Sequence, residues 1–176
     1  MPHLRFLALA GILLGLTSCA QSDGPTAVKG GTTLDGPPYF QATLDGAPWP
    51  ADTVGAVVLT PTAGGVATLI SATRRVSSHE LQRITLGLAT FPAEGHFALG
   101  GIFSQHVGFF DIDTTSAQIS YFSVDARPGM VTVDAVSTTD SVLVGTFAFE
   151  AAPMPDTSAH RMLTGQFRVR YTHPAL

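Results

Sequence analysis

Phe40-Gln41-Ala42-Thr43-Leu44-Asp45-Gly46 decides the fold class. Phe40, Ala42 and Leu44 alternate with Gln41 and Thr43. A strand sends successive side chains to opposite faces, so this segment has one apolar and one polar side. Asp45-Gly46 then supplies a turn, because both residues tolerate backbone angles that others avoid. The same pattern continues downstream. Candidate strands Val54–Thr60 and Val66–Ala72 flank Pro61 and Gly64-Gly65, which reads as a hairpin. Ile84, Leu86 and Leu88 alternate with Arg83, Thr85 and Gly87 after a turn over Arg74–Glu80. Further candidates are His96–Leu99, His106–Ile112, Gln118–Val124, Met130–Val136, Val142–Glu150 and Leu163–Thr172, with Pro153–Ser158 as a long connection before the last. Turn-rich punctuation recurs about every 8–12 residues, and no later stretch sustains a helical apolar stripe. The reading is all-β: an antiparallel β-sandwich or barrel of nine or ten strands, in a single domain over residues 39–176. Phe147, Phe149 and Phe167 alternate along two strands beside glycines, which marks them as core.

The segment before that domain has a different character. Met1-Pro2-His3-Leu4-Arg5 carries one fixed positive charge, and Phe6–Leu16 is wholly apolar. As helix this run spans about 16 Å at 1.5 Å per residue. A bilayer core needs about 20 residues, so the run fits a signal-peptide apolar region over residues 1–18. Leu16-Thr17-Ser18-Cys19 resembles the bacterial lipobox, which implies cleavage before Cys19 and acylation of its thiol. Cys19 is the chain's one cysteine, so no intrachain disulfide can form. Ala20–Pro38 is rich in Gly, Pro, Thr and Asp, with isolated apolar residues, and reads as a flexible tether. The expectation is a protein held at the membrane through lipid on Cys19 without spanning it. Ala20 follows the cysteine in place of an inner-membrane-retaining Asp. The expected address is the cell envelope, at the outer membrane facing the periplasm rather than on the cell surface.

Charge narrows the choice of partner. The formal net charge is −4, and charged residues make up 12% of the chain against about 25% in an average domain. No basic run is present, and nucleic-acid binding requires clustered Lys and Arg. Solvent faces must therefore be built from Thr, Ser, Gln and Ala.

Three segments resemble a family of small bacterial envelope lipoproteins that carry an all-β domain of unknown function. The first is Phe40-Gln41-Ala42-Thr43-Leu44-Asp45-Gly46-Ala47-Pro48-Trp49-Pro50-Ala51, an alternating strand, an Asp-Gly turn and an aromatic. The second is Val144-Gly145-Thr146-Phe147-Ala148-Phe149-Glu150, preceded by Gly129-Met130-Val131-Thr132-Val133-Asp134. The third is Leu163-Thr164-Gly165-Gln166-Phe167-Arg168-Val169. The resemblance covers roughly residues 39–172, and residues 54–112 depart from it most. It implies an all-β domain on a lipid anchor, and no catalytic residues.

Constellations that carry chemistry are sparse. Asp111 and Asp113 share a strand face about 7 Å apart, and Asp125 or Asp134 from a neighbouring strand would complete a cation site; a polar strand face is the plainer reading. His79, His96, His106, His160 and His173 lack zinc-site spacing, although His96 and His106 would meet if their strands were adjacent. Neither a metal nor a cofactor is expected. There is no Gly-x-Ser-x-Gly nucleophile motif, and Glu80, Glu94 and Glu150 are far apart in sequence. Arg168 and Arg170 read as a solvated face opposite Phe167, Val169 and Tyr171.

Aromatic residues are the better lead. Trp49, framed by Pro48 and Pro50, either plugs the end of the domain or stacks on a ligand. Phe109-Phe110 and Tyr121-Phe122 are adjacent pairs, so a strand buries one member of each and turns the other outward. Trp49, Phe109, Phe110, Tyr121 and Phe122 are the candidate binding residues. The leading expectation is a non-enzymatic binding or structural module that contacts an envelope protein or a glycan. The alternative is a hydrolase, glycan-directed, on the same scaffold.

Overall fold

The computed structural model describes residues 34–59, 67–89, 93–153 and 158–172, all within the unit from Thr32 to Leu176. The expected signal peptide, Cys19, the expected tether up to residue 33, and His173 lie outside the described residues.

The described chain is all-β. Eleven strands follow in order: β1 (Tyr39–Leu44), β2 (Ala47–Pro50), β3 (Thr53–Leu59), β4 (Ala67–Ser77), β5 (Glu80–Leu88), β6 (Gly95–Leu99), β7 (His106–Thr114), β8 (Gln118–Ser123), β9 (Gly129–Ser137), β10 (Val142–Pro153) and β11 (Arg161–Thr172). The ten sequence candidates each fall on a strand, and the expected hairpin is the antiparallel pair β3–β4. The eleventh strand, β2, corrects the expected count. Two prolines in four residues hide it, and proline is tolerated because β2 lies at the end of the sheet order. The turn expected over Arg74–Glu80 shrinks to Ser78-His79, since pairing of β4 with β5 runs out to Ser77↔Glu80 across a register shift.

The strands form one mixed sheet, not a purely antiparallel one. Its order is β2-β1-β11-β3-β4-β5-β7-β8-β10-β9-β6, with β10 also paired to β11. Two long strands change partners along their length. β11 pairs with β1 through Leu163–Arg168, then continues alongside β3 in parallel at Tyr171↔Ala56 and Thr172↔Val57. β10 pairs with β9 through Val142–Ala148, then with β8 at Ala151↔Ser123 to Pro153↔Tyr121. One run of strands, β2-β1-β11-β10-β9-β6, is thereby joined at two seams to a second, β3-β4-β5-β7-β8.

One core fills the molecule. Phe147, Phe149 and Phe167 are buried, as their alternation predicts. The Phe147 ring packs on Phe40 at 5.2 Å and on Phe149 at 6.1 Å between centroids. Trp49 is 1% exposed, set edge-on to Phe40, and its indole N–H donates to Gln82 Oε1 at 2.8 Å. Burying an indole without such a partner would be costly.

Arg168 corrects the expected solvated face. It is 9% exposed, with its guanidinium 5.4 Å from the Tyr39 ring centroid, while Arg170 is exposed. The chain before β1 lies against it. Gly36 adopts φ +125°, and a Cβ there would overlap the Arg168 guanidinium, so only glycine fits both backbone and neighbour. The last residues assigned to the tether, Leu34–Pro38, therefore include a position packed on the domain.

Candidate functional site

The aromatic pairs on β7 and β8 divide as strand alternation requires. Phe110 and Tyr121 enter the core with ring centroids 5.7 Å apart. Phe109 and Phe122 are half-buried on the other face and meet edge-to-face at 5.4 Å. Trp49 belongs to the core, and burial removes it from the accessible aromatics. Of the five candidates, only Phe122 borders a pocket of about 560 Å³ at the end of β8. A smaller pocket of about 360 Å³ lies beside Trp49.

The main pocket, about 560 Å³, is built around the loop that follows β6. Ser123, at the end of β8, holds this loop from below. Its hydroxyl donates to the Gly100 carbonyl and accepts from the Gly108 N–H at 2.9 Å. Asp125 holds it from the side: Oδ1 accepts the Gly101 N–H at 2.6 Å and the Ser104 hydroxyl at 3.2 Å. Ser104 N–H closes the turn onto the Gly101 carbonyl at 2.8 Å. The close approach of Asp125 leaves no room for a side chain at 101, where a Cβ would sit 2.6 Å from Oδ2. The braced loop carries Ile102 and Phe103 at its tip. Phe103 is 97% exposed, far outside the usual treatment of a phenylalanine.

The walls are mostly apolar: Ile102, Phe103, Phe122, Val124, Ala126 and Ala152. Arg127 and His160 form the polar rim, and both reach Glu150 at the end of β10. Arg127 Nη1 donates to both carboxylate oxygens, at 2.5 and 2.7 Å, and His160 Nδ1 lies 2.8 Å from Oε1. The Arg127 hydrogen bond is the largest influence on Glu150. With the charges of Arg127 and His160 it outweighs burial and holds the carboxyl below its ordinary range. The same hydrogen bond raises Arg127. The volume falls in the usual range for small-molecule sites, roughly 300–1,000 Å³, which pair an apolar wall with a few fixed polar groups.

Sequence reasoning reached Phe122 but not the loop or the rim. Ile102 and Phe103 sit among Gly, Ser and Gln in a stretch with no alternation to read. Glu150, Arg127 and His160 come from three separate segments, brought together where β10 lies between the starts of β9 and β11.

Of the remaining candidates, Asp125 belongs to this site, while Asp111, Asp113, His79, His96 and His106 do not line it. Asp111 and Asp113 share a face of β7 with Arg83 of β5, whose Nη2 is 4.0 Å from Asp113 Oδ2. Asp125 is committed to the Gly101 loop. Among the described residues, no group of three or more His, Cys, Asp or Glu is arranged to hold a metal ion. His96 and His106 do not converge: His96 Nδ1 bonds Thr132 Oγ1 at 3.0 Å on one side of β6, while the His106 ring packs against Phe97 and its Nδ1 accepts the Ala89 N–H. His79 is exposed in the β4–β5 turn. In comparisons with known proteins, no family model, no curated protein and no solved structure matches the chain.

Proposed function

We propose that this chain is a lipid-anchored envelope protein that works by contact rather than catalysis, and that its contact site is the apolar pocket beside Phe103. The observation that carries the reading is a fully exposed phenylalanine on a loop that four hydrogen bonds, from Ser123, Asp125 and the loop's own backbone, hold in place. Solvating a large apolar side chain is unfavourable, and bracing it there makes sense where a partner covers it. The ligand is an apolar group, either of a small molecule or of an envelope partner, oriented by the Arg127–Glu150–His160 rim. The scaffold is a flattened β-barrel: two runs of strands face each other across one core and are sewn together where β10 and β11 change partners.

The anchor belongs to the same proposal. The leader, the lipobox-like Leu16–Cys19 and the resemblance to small envelope lipoproteins support acylation at Cys19, with the domain at the outer membrane facing the periplasm. The hydrolase alternative gains nothing from the rim. A glycosidase acid needs a raised pKa, and Glu150 is held low and occupied by Arg127 and His160.

The test is a substrate screen run beside a partner capture. Purified protein is assayed against chromogenic esters, glycosides and peptides, and wild type and Phe103→Asp are used to capture partners from envelope extract. The expected result is no turnover, with capture lost in Phe103→Asp. Turnover that survives repurification and vanishes on changing Glu150 or Asp125 would replace this reading with the hydrolase.

A further inference from the structure

The exposed ring and the pocket are neighbours. Phe103 lines the pocket yet is 97% exposed, so its ring stands at the mouth and not inside. Ile102, 38% exposed, stands beside it. The hydrogen bonds from Asp125 and Ser123 hold the loop in this position, so the tip does not fill the space it borders. A cavity of about 150 Å³ already accepts a benzene ring, so 560 Å³ has room for the loop tip of another molecule. One surface thus carries an apolar knob and, next to it, an apolar hole. Charges at the mouth are arranged in the same way. Asp125 and Arg127, on either side of Ala126, both line the pocket. Asp125 accepts the loop's hydrogen bonds on Oδ1, and Arg127 meets Glu150 through Nη1. Oδ2 of the one, and Nη2 and Nε of the other, lie outside those bonds.

We propose that the occupant is a second copy of the chain, in a two-fold dimer in which the Ile102-Phe103 tip of each copy enters the pocket of the other. The proposal rests on the contact reading of this loop and names its partner. A two-fold contact uses one patch twice, so that patch must hold both a feature and its complement. A knob far from its hole would instead add copies head to tail without closing. Here the two adjoin, so the axis passes beside Phe103 and the two Phe103 rings meet across it, an arrangement that aromatic pairs favour when offset. The same axis brings Arg127 of each copy toward Asp125 of the other, opposite charges facing. Other occupants fit less well. A small molecule would fill the hole but leave the knob in water. A bilayer would take the knob but leave the hole, and would bring the Asp125 carboxylate against lipid headgroups. A second copy covers both. Two rings bury about 150–250 Å² each. With the walls they cover, the total is on the order of 1,000 Å², near the lower limit for a specific interface. The dimer is accordingly weak in dilute solution, and the anchor proposed at Cys19 strengthens it by confining both copies to one surface.

The test is photocrosslinking in intact cells that express two full-length copies with different epitope tags, one of them carrying benzoylphenylalanine at position 103. The expected product contains both tags and has the mass of two chains. Filling the hole of the receiving copy with Ala126→Trp, or placing a carboxylate in it with Ala126→Glu, should cut that product by about tenfold or more. Residue 126 is exposed, so both variants should melt as wild type does, and either one that does so decides the point. Phe103→Ala in the receiving copy removes its knob but leaves its hole, and should retain the product within about threefold. No product bearing both tags, or one that neither Ala126 variant reduces, would overturn the proposal. A discrete product with another protein, or with a small molecule, in place of the two-tag product would overturn it too, while leaving the contact reading of Phe103 intact. No product of any kind would remove both.

Discussion

Phe149 is the side chain on which the packing account can be pressed hardest. It is 2% exposed, and two glycines from different strands lie close against it, Gly108 of β7 at the ring and Gly129 of β9 at its Cα and Cβ. Replacing it with alanine empties a ring-sized site walled by the Gly108 backbone and the Phe147 ring. The expected cost is about 3–5 kcal/mol. For a domain of this size, with about 2–4 °C per kcal/mol, the melting temperature should fall by roughly 6–20 °C. The two glycines then make a sharper demand. The nearest atoms to a Cβ on Gly108 belong to the Phe149 ring, 2.7 Å away at Cε2, whereas one on Gly129 would meet Phe149 Cβ, the Ala148 carbonyl oxygen at 2.8 Å and Phe149 Cα at 2.9 Å. Gly108→Ala alone should cost about 1–3 kcal/mol by overpacking. In a Phe149→Leu background the smaller side chain relieves that clash, so the two changes should couple favourably by at least ~0.5 kcal/mol. Gly129→Ala should stay as damaging in that background as in wild type, because backbone cannot be trimmed. Urea melts at constant m-value read all of these. A Phe149→Ala loss below about 1 kcal/mol, the scale of an ordinary surface-to-intermediate change, or additive Gly108 and Phe149 changes, would refute this packing.

Four further outcomes are expected. Gln82→Leu leaves the buried Trp49 indole N–H without its acceptor and should cost about 1–3 kcal/mol in a melt followed by Trp49 fluorescence. Phe103→Ala should leave stability unchanged, since the ring is 97% exposed, while weakening binding at the pocket in a ligand titration. Glu150 and Asp45 are both held below the ordinary carboxylate range: Glu150 chiefly by the Arg127 hydrogen bond, and Asp45 because the Met162 N–H and Arg161 outweigh the upward push of burial. A depressed folded-state pKa stabilises fully above the unfolded value, near 4.3 for Glu and 3.9 for Asp, and that share is lost as pH falls through the folded value. Acid melts should therefore steepen below about pH 4, less so in Glu150→Gln. Cys19→Ser should abolish metabolic palmitate labelling, and a labelled variant would remove Cys19 as the acylation site.

The legible part of the fold was the part written in alternation. Phe40-Gln41-Ala42-Thr43-Leu44 and the segments around Phe147, Phe149 and Phe167 declare both their strands and their buried faces, because period two is a local property. The division of Phe109-Phe110 and Tyr121-Phe122 followed from the same rule. β2 was hidden because Pro48 and Pro50 argue against a strand unless its place at the sheet's edge is known. The parallel pairing of β3 with β11 was hidden because partner exchange midway along a strand leaves no mark on that strand's own pattern. Arg168 alternates like a solvated residue, and only Gly36, far away in sequence, gives it a covered environment. The pocket illustrates the same limit. Ile102 and Phe103 gain their meaning from Asp125 and Ser123 beneath them, and Arg127, Glu150 and His160 from the way β10 lies between β9 and β11.

The central claim is that the braced Phe103 loop is a contact surface. Site-specific photocrosslinking from position 103 in intact cells, with position 76 as an exposed control on β4, measures it most directly, because Val76 is a surface residue that borders none of the pockets described. The account predicts a discrete adduct from position 103 that is absent from position 76 and is lost when Gly101→Val disrupts the loop. Identical adduct patterns at the two positions, or none at 103, would contradict it.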